Sequence, residues 1–132
     1  MPKHILQPAG LPDPSQTRAY SHGVRVGNTV YLAGQTGHDA AMSASVSRFE
    51  AQTRRTFERM RLILEAAGGS IDDLAQVTVY ITDLTHWPEF NAVYEKFLSD
   101  VTVPPARAVV PVSALNKGAL VEIQAIAVCK DK

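Results

Sequence analysis

The stretch Val121-Glu122-Ile123-Gln124-Ala125-Ile126-Ala127-Val128 alternates in a way that decides how the chain is layered. With the two-residue period of a strand, Val121, Ile123, Ala125 and Ala127 fall on one side. Glu122 and Gln124 share the other side with Ile126 and Val128. One face is therefore ready for a core. The opposite face mixes apolar and polar groups, which is the composition of a subunit interface with a polar site in it.

The strand is predicted over 119–129, and upstream residues 106–112 are predicted as a second late strand, set off by Pro104-Pro105 and by a polar turn around Asn116-Lys117-Gly118. Before it, Phe90, Val93, Tyr94, Phe97 and Leu98 follow the i, i+3, i+4, i+7, i+8 spacing of a core-facing helix. Thr85 is the expected cap, and Pro88 sits in the first turn, where its missing N–H costs little. Residues 76–82 alternate as a strand with Val77, Val79 and Ile81 inward. A longer helix is predicted over 47–67, with Phe49, Thr53, Phe57, Met60, Ile63 or Leu64 and Ala67 on one face and Gly68-Gly69 ending it. Gly27-Asn28 between residues 22–26 and 29–33 reads as a hairpin turn, and residues 38–45 as a loop. The first 19 residues, with Pro2, Pro8, Pro12 and Pro14, read as an extended lead-in to a single domain spanning 1–132.

The predicted order is thus β-β-α-β-α-β-β. Two helices cannot cover both faces of a five- or six-stranded sheet, so an α+β two-layer fold is expected, with a mixed β-sheet and both helices on one face. The uncovered face then meets another copy of the chain.

Composition narrows the function. The 132 residues carry 13 Lys+Arg against 13 Asp+Glu, which argues against a protein that neutralises phosphates. A domain of this length buries one core and has little area left to enclose a deep pocket, so a site completed by a neighbouring subunit is expected. The single cysteine, Cys129, excludes an intrachain disulfide and a cysteine-based zinc site. No stretch has signal-peptide or membrane-spanning character, and the cytoplasm is the expected location. Phosphate-loop, dinucleotide, zincin and serine-elbow motifs are absent, and His4, His22, His38 and His86 lack the spacing of metal ligands.

What remains is an arginine and a carboxylate on neighbouring late strands. Ala106 and Ala108 suit the packed face, which places Arg107 on the other, where Glu122 also points. Two readings fit. The pair is structural, an ion pair at a subunit boundary or two unrelated solvated charges, or Arg107 holds a substrate carboxylate by its planar fork while Glu122 orients or deprotonates water. Tyr20, the Gly34-Gln35 backbone and Asn91 are further candidates, each equally explained by packing, a turn or a polar rim.

Taken in order, the segments resemble the RidA/YjgF/UK114 family of reactive-intermediate deaminases. The resemblance rests on Ala19-Tyr20-Ser21-His22-Gly23-Val24, on Gly27-Asn28-Thr29-Val30-Tyr31-Leu32-Ala33-Gly34-Gln35 and on Leu64-Glu65-Ala66-Ala67-Gly68-Gly69. It continues through residues 77–84, Asn91-Ala92-Val93-Tyr94-Glu95-Lys96-Phe97, Pro105-Ala106-Arg107 and Val121-Glu122-Ile123-Gln124-Ala125-Ile126-Ala127. It implies a chorismate-mutase-like (YjgF-like) fold and a homotrimer with a central barrel and three sites between subunits. The implied activity is that of a 2-iminobutanoate/2-iminopropanoate deaminase: hydrolysis of 2-enamine or 2-imine acids such as 2-aminoacrylate to 2-oxo acids and ammonia, with no cofactor. Arg107 then clamps the carboxylate and Glu122 serves the water, while Tyr20, Ala33, Gly34, Gln35, Asn91 and Val109 line the pocket. Ala33 stands where many members carry serine, Val109 where many carry cysteine, and His22 where glutamine is frequent. These departures leave the clamp intact and bear on the substrate's side chain. The alternative is a trimer that binds a 2-oxo acid or other small carboxylate without turnover, or acts as a chaperone.

Overall fold

The structure is a computed structural model that describes residues 2–15, 18–37 and 47–130. Six strands form one sheet: β1 (Lys3–Leu6), β2 (Gly23–Val26), β3 (Thr29–Gln35), β4 (Leu74–Ile81), β5 (Ala106–Pro111) and β6 (Val121–Val128). Their spatial order is β1-β2-β3-β6-β4-β5, antiparallel throughout except for the parallel pair β4 and β5. Among the described residues the α-helices are α1 (Arg48–Ala66) and α2 (Trp87–Phe97).

Strand β6 lies between β3 and β4, and its alternation organises the core as expected. Val121, Ile123, Ala125 and Ala127 are buried with Val77, Val79 and Ile81 of β4 against Phe57, Met60, Ile63 and Leu64 of α1 and Phe90 of α2. Both helices therefore share one sheet face, and both Ile63 and Leu64 are inside. The other face carries Tyr31, Thr78, Tyr80, Glu122, Gln124 and Ile126, with Tyr31 49% exposed. Helix α1 starts at Ser47, whose side chain accepts from the Glu50 amide, and ends where Gly69 N–H bonds the Leu64 carbonyl and Gly68 N–H that of Glu65.

Two expectations change. The lead-in contains a strand, because residues 3–6 pair with β2 and bury Leu6. Thr85 does not cap α2. Asp83 accepts from the Thr85 amide at 2.9 Å, which starts a short 3-10 turn over Leu84–His86 that runs into the helix at Trp87. The Asp83 carboxylate satisfies that donor, and Thr85 Oγ1 donates to the same carboxylate at 2.7 Å. The hairpin at Gly27-Asn28 is as expected, with Val26 opposite Thr29. The loop expected over 38–45 lies outside the described residues.

Candidate functional site

Arg107 stands on β5, the edge strand, opposite Val77 of β4, as Val109 stands opposite Val79. Paired residues in register point the same way, so Arg107 and Val109 lie on the helix-covered face. The expectation that Ala106 and Ala108 are packed is therefore reversed; both are exposed on the bare face. The reason is the register with β4, whose odd-numbered residues line the core beneath α2. Val109 packs against that core, and Arg107 extends past it to the rim of α2. There Nη1 donates to Asn91 Oδ1 at 3.1 Å, and the guanidinium carbon lies 4.8 Å from the Trp87 ring centre and 4.6 Å from that of Tyr94.

Glu122 is on the opposite, bare face, opposite Tyr80. Arg107 and Glu122 thus do not share a face. They are also two strands and three registered residues apart, about 10 Å in each direction. Glu122 is half-buried beside Gly34, where β3 and β6 lose register between Leu32 and Gln35. A Cβ on Gly34 would collide with the Glu122 carboxylate, and would lie 2.9 Å from its Cδ. This close approach desolvates the acid, and burial pushes its pKa above the usual carboxylate range.

Of the remaining candidates, Gly34 alone is shown against Glu122. Tyr20 is half exposed and stands edge-on to His22, with ring centres 6.3 Å apart. Ala33 N–H donates to the His22 carbonyl at 2.8 Å. The Gln35 side chain turns inward to a buried relay: Arg59 Nε donates to Gln35 Oε1 at 3.1 Å, and Gln35 Nε2 meets His22 Nδ1 at 3.3 Å. His22 Nε2 meets the Pro12 carbonyl at 2.7 Å, which requires the hydrogen on Nε2 and leaves Nδ1 as the acceptor. His22 is structural in this arrangement.

The structure thus brings Arg107 and Asn91 together on one face, with Val109 beside them on β5, and Glu122 and Gly34 together on the other; it does not bring Arg107 and Glu122 together within one chain. Sequence reading missed Trp87 and treated Tyr94 as core alone. Their spacing with Asn91, at i, i+4 and i+7 along α2, was the available signal. Among the described residues no helix is long and apolar enough to cross a membrane, and no three His, Cys, Asp or Glu side chains are grouped to hold a metal ion.

A RutC family protein of Saccharolobus solfataricus is 40% identical over 115 residues, which are 86% of this chain and 90% of that protein. The 2-iminobutanoate/2-iminopropanoate deaminase of Dermatophagoides farinae is 37% identical over 130 residues, covering 96% and 97% of the two chains. The crystal structure of E. coli TdcF with bound serine matches with a TM-score of 0.79 at 30% identity, covering 96% of this chain and 99% of that one. The family model described as endoribonuclease L-PSP matches residues 11–129. The chain belongs to that family, the RidA/YjgF/UK114 group that its motifs resemble.

Proposed function

We propose that the protein hydrolyses 2-imino and 2-enamino acids to 2-oxo acids and ammonia, in a site where Arg107 of one copy faces Glu122 of another. The observation that carries this reading is that an arginine and a desolvated acid lie on opposite faces of one sheet, as two half-sites completed by different copies would. The name of the mite relative supports the chemistry. A homotrimer closed through the bare sheet faces, with a central barrel, supplies the second copy.

The reaction needs little beyond placement. Arg107 holds the substrate carboxylate by two parallel N–H bonds. The imine carbon is already electrophilic; water attacks it while Glu122 takes a proton and returns it to the nitrogen, and the resulting carbinolamine collapses to the 2-oxo acid with loss of ammonia. Water is the only co-reactant. The pKa raised by burial suits an acid that must both accept and return a proton. Ala33 and Val109 supply apolar surface beside the reacting carbon and set which side chains fit.

The test is to generate imines with an amino-acid oxidase and to let the protein compete with semicarbazide for them. Arg107→Lys is expected to lose about tenfold or more of the activity despite its charge, because the fork is gone. Arg107→Ala and Glu122→Ala are each expected to be inactive alone and to regain activity when unfolded and refolded together, since some mixed sites then contain both groups. Failure to recover would place both residues in one chain's site and overturn the arrangement. The second reading, binding without turnover, draws on the serine held by TdcF. Binding of 2-oxobutyrate with no acceleration of imine hydrolysis would select it.

A further inference from the structure

Arg107 is exposed and comes from an edge strand, yet its guanidinium is not left to wander. Trp87, Asn91 and Tyr94 meet it from one stripe of α2: two ring faces and one acceptor. The rings are themselves fixed. Trp87 stacks on Phe90 with centres 5.5 Å apart and planes 6° apart, and Tyr94 stacks on the same ring at 5.7 Å. Phe90 is fully buried and meets Phe57 of α1. The platform under the arginine is thus anchored in the core, and the guanidinium is the movable partner. Ring faces consume no N–H group, and Asn91 takes one of five, so the edge that suits a carboxylate is left open.

We propose that Trp87 and Tyr94 are positioning residues that hold the Arg107 guanidinium in a fixed plane, with Asn91 setting its rotation, so that the fork meets a planar carboxylate already oriented. The proposal rests on the reading of Arg107 as the carboxylate clamp. Its ligand class is the planar carboxylate of a small 2-imino or 2-oxo acid. A preset fork loses less motional freedom on binding than a mobile one. Because the carboxylate is held alike before and during reaction, loss of either ring should appear in KM and in Kd more than in kcat.

The test compares the parent with Trp87→Leu, Trp87→Phe, Tyr94→Leu and Tyr94→Phe. Order parameters of the Arg107 Nε–H group are read by NMR, with the signal assigned by its loss in Arg107→Lys; 2-oxobutyrate affinity is read by calorimetry, and KM and kcat by the imine competition. The leucine variants are expected to free the Nε–H group and to raise Kd and KM by about threefold to thirtyfold, with kcat changed less. The phenylalanine variants should remain near the parent. An unchanged Nε–H order parameter and affinity in the leucine variants would overturn the proposal, as would phenylalanine variants as impaired as the leucine ones. Tyr94 belongs to the core, so if Tyr94→Leu fails to fold, Trp87→Leu, or Trp87→Met as a second ringless variant, decides. Should the parent neither bind 2-oxobutyrate nor hydrolyse imines, the reading of function fails, and the Nε–H measurement alone still decides whether the two rings hold the guanidinium.

Discussion

Glu122 owes its position to the absence of a side chain at Gly34. The atoms that a Cβ there would strike belong to the mobile end of Glu122, so Gly34→Ala is expected to leave the fold intact and to displace the carboxylate. Imine hydrolysis should fall by about a hundredfold or more with little change in melting temperature. Protonation adds a second prediction. Burial raises the folded pKa of Glu122 above its unfolded value, so the native state holds that proton more tightly. Its contribution to stability is present below the unfolded pKa and lost as pH rises through the folded one. Glu122→Gln escapes this loss. Thermal unfolding should show its stability, relative to the parent, improving from acid to neutral pH, while its activity lacks the base at every pH. In the parent, activity should decline as acid protonates Glu122, beginning above the usual carboxylate range.

Among the elements, the end of α1 carries the clearest stability prediction. Gly68 adopts φ of +80° so that two carbonyls of the last turn are satisfied. Gly68→Ala is expected to cost about 1 kcal/mol in urea unfolding, because a Cβ is disfavoured in that conformation. Such signals explain why the helices, the hairpin and the central strands were legible in the sequence: a glycine after a periodic run, or strict alternation along β4 and β6, has one good structural solution. Strand β5 was different. Ala106, Ala108 and Val110 on one side and Arg107, Val109 and Pro111 on the other are about equally suited to either face. The parallel register with β4, a long-range property, decides between them. Strand β1 was hidden for a related reason. Lys3-His4-Ile5-Leu6 has no alternation of its own and becomes a strand through its partner β2, with prolines flanking it at positions 2 and 8. The candidate residues could be named from motifs, but not that Arg107 and Glu122 lie on opposite faces of the sheet.

For the molecule as a whole, the bare sheet face is the feature that must be satisfied. Ile126 lies near its middle, opposite Tyr31 on one side and Gln76 on the other. Light scattering is expected to give the parent a mass about three times 14.3 kDa. Ile126→Lys, which would force an unpaired charge into the proposed contact, should shift the mass toward the monomer. Activity should fall with it, although every group proposed to act remains present, because each chain alone holds its fork and its acid on opposite sides.

Trp87 is the sole tryptophan in the chain, and its indole lies against the guanidinium proposed to receive the substrate. The protein therefore contains its own optical probe. Excited selectively, this one fluorophore reports from the ligand-binding edge without interference from any other indole, and a carboxylate that draws on Arg107 should alter its emission. Titration with unlabelled 2-oxo acids of increasing side-chain length would then rank the pocket's preferences by light alone, before any unstable imine has to be made.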